Sequence, residues 1–271
     1  MFHEPYLYFG WRRPQRNILA AVQRLMAVCL LGASRRVYVS SATWERYLSP
    51  FMWLGPRQLM WLPVPSTVPA VADDAAVAER RKRLTAGARE LVGHFGTYGD
   101  HIRPLVERCF ATVGATRPET RFVCLGRNSR AFVDRLVARH PDLSERVVAA
   151  DGLSADDVST HLQACDVVVQ PFAEGVTTRR TSLMASLING RPTVTTDGPL
   201  TEGLWREEPG VALVPIDSGA ALAERVASLL DDAETRDALG HAGQALYSRR
   251  FALEHVVRHL IDQPENPLPV T

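Results

Sequence analysis

From Leu91 onward, apolar positions alternate between two kinds of run. Short β-prone stretches fall at Leu91–Phe95, Arg121–Leu125, Arg146–Ala149, Val167–Gln170, Pro192–Thr196 and Val211–Val214. Segments with helical spacing lie between the earlier ones, at Ile102–Val113, Ser129–His140, Ala155–Cys165 and Thr178–Asn189. Strands that are apolar throughout, separated by single helices, predict a parallel sheet covered on both faces. The layout is Rossmann-like. Ser154 with Asp157 marks a helix start, and Gly190 followed by Pro192 marks a helix end. Two or three further helices are predicted in Gly219–Ile261.

The pattern before Leu91 is different. Asn17–Leu31 reads as a helix that is apolar nearly all round, so burial in a first domain is expected. Val37–Ser40 reads as a strand, Ala42–Leu48 as a short helix and Asp73–Leu84 as a charged helix. Pro56, Pro63, Pro65 and Pro69 make the intervening passage a connection between domains. One strand in about seventy residues is too little for a self-sufficient α/β domain. The predicted division is a partial first domain and linker over 1–72, a second domain over 73–250, and a helix and tail over 251–271.

Composition narrows the partners. The chain has 271 residues, a net charge of +1, and Lys and Arg spread along its length. A nucleic-acid partner needs a clustered basic face and is not expected. The four cysteines have no C-x-x-C spacing, which argues against a zinc ribbon and fits a reduced, cytoplasmic setting. Cys124 and Cys165 read as small buried hydrophobes. The apolar helix follows Trp11-Arg12-Arg13, so peripheral contact with an anionic membrane is the alternative to burial.

In an open parallel sheet, ligands gather outside the carboxyl ends of the strands. Four loops there contain glycine: Gly96-Thr97-Tyr98-Gly99, Gly126-Arg127-Asn128, Asp151-Gly152-Leu153, and Pro171 to Thr177 with Glu174, Gly175 and Val176. Glycine lets backbone N–H groups approach an anion, and a following helix adds partial positive charge. A phosphate-bearing ligand is the joint reading, with plain tight turns as the alternative for any one loop. Neither G-x-G-x-x-G nor G-x-x-x-x-G-K-[ST] occurs, which disfavours dinucleotide enzymes and P-loop ATPases. Arg179 and Arg180 fall in the predicted first turn of a helix, where acidic residues are favoured. A nearby anion would explain them. Arg179 shares a face with Ser182 and is preferred for the ligand; Arg180 aligns with the core positions Leu183, Met184 and Leu187. The alternative is that both lie at the surface or pair with Glu174.

The passage QPFAEGVTTRRTSLMASLINGRPTVTTD, residues 170–197, resembles the donor-binding segment of GT-B glycosyltransferases of the family 4 type. Phe122–Gly126, Ala149–Asp166 and Trp61–Val68 extend the resemblance. It implies a GT-B-like fold, with a Rossmann-like donor domain and a partial first domain that lacks its opening strands. It implies transfer of a sugar from a nucleotide-diphosphate sugar to an unidentified acceptor, with retention, without a metal and without a cofactor beyond that co-substrate. By resemblance, Glu174 holds the donor sugar, Gly175 and Val176 offer N–H groups, and His3 in His3-Glu4-Pro5-Tyr6 contacts the sugar or acts as acid or base. Two features depart from the family. Ser182 stands where a second Glu binds the donor ribose, and the first loop has no clear cationic residue for the diphosphate. A sugar-nucleotide epimerase of the same fold and a donor-binding protein without activity of its own are the competing functions.

Overall fold

The computed structural model describes residues 1–6, 9, 14–54, 59–216 and 219–261. The chain divides into two compact units, and the division does not follow sequence order. One holds Met1–Val64, Thr177–Arg179 and Leu253–Thr271; the other holds Pro65–Val176 and Arg180–Ala252.

The first unit contains α1 (Pro14–Ala33), β1 (Val37–Val39), α2 (Trp44–Leu48) and β2 (Leu59–Trp61). β1 and β2 pair in parallel, Val37 opposite Leu59 and Val39 opposite Trp61. Phe2 adds a parallel bridge to Val39. The strand β2 is absent from the sequence reading, because three residues beside prolines carry no period. The helix α1 also differs from expectation. Only Ala20, Ala27 and Leu31 are buried, a narrow stripe at spacings of seven and four. Ile18, Leu19, Val22, Leu25, Met26 and Leu30 are exposed, Ile18 by 68% and Leu25 by 64%. Small residues let one face pack closely, and the larger side chains around it stay exposed. The segment Trp11–Arg13 and the tail after Ile261 lie outside the described residues.

The second unit begins with α3 (Asp74–Thr85), whose cap Asp73 accepts from the Ala76 N–H. Strand and helix then alternate: β3 (Glu90–Phe95), α4 (Arg103–Thr116), β4 (Thr120–Leu125), α5 (Ser129–Arg139), β5 (Val147–Ala150), α6 (Ala155–Ala164), β6 (Val167–Gln170), α7 (Thr181–Ile188), β7 (Thr193–Asp197), α8 (Leu204–Glu207), β8 (Ala212–Pro215), α9 (Gly219–Asp231) and α10 (Ala233–Arg250). The helix α11 (Leu253–Ile261) returns to the first unit.

The six strands form one parallel sheet in the order β5-β4-β3-β6-β7-β8. The order reverses between β3 and β6, so the loops after these two strands flank the switch point where such sheets bind ligands. Each face of the sheet carries its own apolar layer. Phe110, Phe122, Phe132 and Leu136 lie in one layer. Leu91, Leu125, Leu162 and Ala185 lie in the other. Cys124 and Cys165 are buried in these layers, as their apolar neighbours in sequence imply.

Candidate functional site

Three strand-end loops of the sheet adjoin at β3, β4 and β5, and they are not alike. The loop after β3 is held from inside. The Tyr98 ring is buried and stacks on Phe132 at 4.7 Å. Its hydroxyl lies 3.1 Å from the His94 carbonyl and 3.3 Å from the Leu125 carbonyl. Tyr98 has a φ of +53°, a left-handed conformation that a bulky residue takes only when its surroundings demand it. With its ring anchored, the backbone on either side turns outward. The Gly96 N–H donates to Leu125 O at 3.0 Å and extends the β3–β4 ladder. The Ile102 and Arg103 N–H groups both donate to Gly99 O at 3.0 Å, which opens α4.

Between these fixed points, the N–H groups of Thr97, Tyr98, Gly99, Asp100 and His101 have no acceptor among the described residues. α4 has no side-chain cap and no acid in its first turn. A run of free N–H groups before an uncapped helix start is an anion-binding concavity. Gly99 lines it, and a Cβ there would meet nothing within 4 Å. Arg103 is a cationic residue beside it. It stands at the first helical position and pairs with Asp100 at 2.9 Å, with Asp100 almost fully exposed.

Directly beneath lies His94, buried in β3. Its Nδ1 is 2.7 Å from Val169 O, and since a carbonyl can only accept, Nδ1 carries the proton. Nε2 is then an acceptor, buried and without a hydrogen-bond partner among the described residues. A Cβ on Gly96 would lie 3.0 Å from it. Burial holds the imidazole neutral and lowers its pKa to about 4, with the Val169 bond opposing this.

The loops after β4 and β5 are closed by a carboxylate. Asp151 accepts from the Asn128 N–H at 3.2 Å and from the Gly152 N–H at 2.8 Å. Gly126 donates to Ala150 O. Its φ of +100° and close approach are required, because a Cβ would meet Gly96 O at 2.5 Å. Gly126 and Gly152 therefore make turns, and a negative group already holds the amides expected for a phosphate. Arg127 is exposed beside them, and Leu153 is partly buried against the sheet.

The loop after β6 departs most from expectation. The Gly175 N–H donates to Phe172 O and the Val176 N–H to Thr196 O, both at 3.0 Å, so neither amide faces a ligand. Gly175, with a φ of +95°, lies against Gly198: a Cβ on Gly175 would be 2.3 Å from Thr201 Oγ1 and 2.7 Å from Gly198 N. The glycine is required by packing. Glu174 is exposed at the turn, and among the described residues its carboxylate has no partner, while its carbonyl accepts from Leu200 N–H at 2.8 Å.

The arginines do not sit in a helical turn. α7 begins at Thr181, with Arg180 as an extended cap residue, so the shared face inferred for Arg179 and Ser182 does not exist. Thr177, Thr178 and Arg179 belong to the first unit. There Thr178 Oγ1 donates to Ser40 O at 2.8 Å and accepts from Trp61 Nε1 at 3.2 Å. Thr177 is buried. Arg179 is buried, pairs with Glu4 and lies 5.2 Å over the Trp44 ring. Its charge is met within this unit by Glu4. Arg180 lies 4.7 Å over the Phe172 ring in the second unit. Ser182 is half-buried in the first turn of α7, and its carbonyl accepts from Gln170 Nε2 at 3.3 Å. His3 is fixed through its backbone, its carbonyl accepting from Trp44 Nε1 at 2.9 Å and Ser40 Oγ at 3.2 Å, with its side chain exposed.

A doubly wound parallel sheet with a run of unpaired loop amides beside its switch point is the architecture of a Rossmann-like α/β protein. Residues 90–232 match the family described as glycosyl transferases group 1, and the chain belongs to that family. Solved structures share the fold. A sucrose-phosphate synthase from Thermosynechococcus elongatus aligns with a TM-score of 0.72 at 18% identity, over 93% of this chain and 63% of that one. HepE from Anabaena, solved in complex with UDP-glucose, aligns at 0.68 and 15%, over 91% and 68%. WaaG, a glycosyltransferase involved in lipopolysaccharide biosynthesis, aligns at 0.73 and 15%, over 94% and 70%. The chain thus spans about two thirds of the length of these proteins. No curated protein matches it by sequence.

Proposed function

We propose that this chain binds a nucleotide-diphosphate sugar and transfers the sugar to an acceptor, with retention and without a metal ion. The observation that carries the reading is the row of five free N–H groups from Thr97 to His101 at the start of α4. Breaking a sugar–diphosphate bond leaves negative charge on the departing phosphate. N–H groups already aimed at that charge, with a helix start behind them, stabilise it without reorganisation. Arg103 adds a cation once it leaves Asp100. Glu174 offers a free carboxylate to sugar hydroxyls at the neighbouring strand end. HepE, a structural relative, was solved with UDP-glucose, which makes uracil the first base to test.

Calorimetry of the chain with UDP, GDP, dTDP and their glucose conjugates tests the binding step. Saturable heat with one nucleotide is expected, and no heat with any would overturn the proposal. Consumption of the bound sugar nucleotide then separates a transferase from a protein that only binds, and a product that is an isomeric sugar nucleotide would favour the epimerase. The role resemblance gives to His3 predicts that His3→Ala loses turnover while retaining nucleotide binding. The exposed apolar side of α1 supports peripheral contact with a lipid surface. Flotation with vesicles containing anionic lipid tests this, and an Ile18→Ser, Leu25→Ser double variant should no longer float.

A further inference from the structure

The opposite edge of the same sheet carries a second cationic site. A cavity of about 630 Å³ opens where β6 and β7 begin, away from the strand ends that form the donor cradle. Its charged lining is Arg81, Arg191, Arg236, Asp166, Asp237 and His241. Pro192 is its chief apolar group, so a hydrophobic ligand is not favoured there. The site is built by close helix approach. α10 crosses the end of α7 at Gly240, where a Cβ would lie 2.5 Å from Gly190 O.

The three arginines are not equally paired. Arg81 reaches Asp166 at 3.0 Å, and Asp166 also accepts from the Leu91 N–H at 2.8 Å. Both contacts fall on Oδ2 of that carboxylate. Arg236 meets one carboxylate, Asp237, at 3.5 Å, whose side chain is 66% exposed, and its Nη1 donates to Leu229 O at 3.5 Å. Arg191 has no carboxylate within ion-pair distance among the described residues. Its Nε donates to Asn189 O at 3.0 Å, and its Nη1 lies 3.0 Å from Gln163 O and 3.3 Å from Cys165 O. These carbonyls close α6 and α7, so one side of the guanidinium serves the fold. Nη2 makes no hydrogen bond among the described residues. Burial, only partly offset by Asp166 and Asp237, lowers the pKa of Arg191 from the usual arginine value. A guanidinium removed from water without a paired anion is costly, and an anion in the cavity would relieve that cost.

We propose that this cavity binds the phosphate group of a small hydrophilic metabolite, with the free edge of Arg191 and the Arg236 guanidinium as its principal contacts. Planar guanidinium forks match phosphate oxygens, and the volume suits a phosphorylated sugar. The site is distinct in place and residues from the donor cradle, and it stands whether or not the chain transfers sugar.

The test is a residue-resolved NMR titration of the full chain with inorganic phosphate, then with glucose 6-phosphate. Saturable shifts at the Gly190, Arg191 and His241 amides are expected. Arg236→Ala should weaken binding at least threefold. Because Arg191 also closes two helices, Arg191→Lys is the variant to use there; it retains the charge and loses the fork, and should weaken binding likewise. Shifts confined to Thr97–His101, shifts that do not saturate, or affinities unchanged in both variants would overturn the proposal. The first of these outcomes would leave the donor reading intact, whereas a failure of that reading would leave Thr97–His101 silent without touching the second site.

Discussion

Gly175 and Gly198 occupy each other's side-chain space. A Cβ on Gly198 would lie 2.8 Å from both the Glu174 carbonyl carbon and Gly175 N, and one on Gly175 would lie 2.7 Å from Gly198 N. The contact locks the β6 loop to the end of β7 and sets the backbone that presents Glu174. It also replaces a ligand-based explanation of Gly175 with a packing one.

Gly175→Ala should therefore act on stability. It combines a left-handed φ of +95° with a clash against backbone and Thr201. Strain and overpacking together are worth about 2–5 kcal/mol. Gly152→Ala is the control, because its φ of +68° is also unfavourable but a Cβ there meets nothing. It should cost only about 1–2 kcal/mol. Thermal denaturation should place Gly175→Ala several degrees below Gly152→Ala; equal melting temperatures would mean that the loop repacks freely.

Gly99→Val should show the converse. A Cβ at Gly99 meets no protein atom, so melting should move little. The added side chain stands beside the free N–H groups of the β3 loop, where the diphosphate is proposed to lie. UDP affinity measured by calorimetry should fall about tenfold, roughly the worth of one charge-assisted hydrogen bond. A variant that binds UDP as tightly as the parent would move the phosphate site elsewhere.

Much of the second unit was legible because its periods are clean. Every predicted strand and helix from Leu91 to Val214 has a counterpart, and Val167–Gln170 coincides with β6 at both ends. Local pattern does not report long-range closure, and that is where the reading of the site failed. Nothing near Asp151 in sequence says that its carboxylate will take the Asn128 amide, or that Glu4 will take Arg179 across 175 positions. Arginines before a helix read as ligand contacts only if no acid returns to meet them. Tyr98 was equally hidden, since a tyrosine between glycines gives no sign that its ring faces inward. His94 was missed for a related reason: a histidine inside an apolar strand reads as a satisfied core residue. The apolar length of α1 marked a helix but could not say how much of it would be covered.

Stability should fall with acid in a window set by His94. Its folded pKa of about 4 lies below the unfolded value of 6.5, so the unfolded chain binds the proton more readily. The contribution is complete above pH 6.5 and is lost progressively as pH drops toward 4, about 3 kcal/mol in all. His161, also lowered chiefly by burial, acts with the same sign. Carboxylates such as Glu90, lowered chiefly by the Arg117 hydrogen bond, act at lower pH. Denaturant unfolding of His94→Asn, which keeps a donor for Val169 O, should show a shallower loss between pH 6.5 and 4. An unchanged slope would assign the window to His161.

Ser182 allows a gain-of-affinity test. It stands half-buried in the first turn of α7, at the position where the family resemblance calls for a glutamate on the donor ribose. A hydroxyl there can make one neutral hydrogen bond, whereas a carboxylate can accept two charge-assisted ones. The parent should therefore distinguish poorly between UDP and its 2′,3′-dideoxy analogue, within about fivefold if the difference is below about 1 kcal/mol. Ser182→Glu also places an acid at a helix start, where it is locally favourable. The variant should bind UDP about tenfold more tightly than the parent while leaving dideoxy-UDP unchanged, since each good charge-assisted bond is worth about 1.5–3 kcal/mol before desolvation is met. A gain for both ligands would mean that the acid acts through α7 rather than through the ribose. Weaker binding of both would mean that the serine position faces the diphosphate, and the cradle would then have to extend from the α4 start to the α7 start.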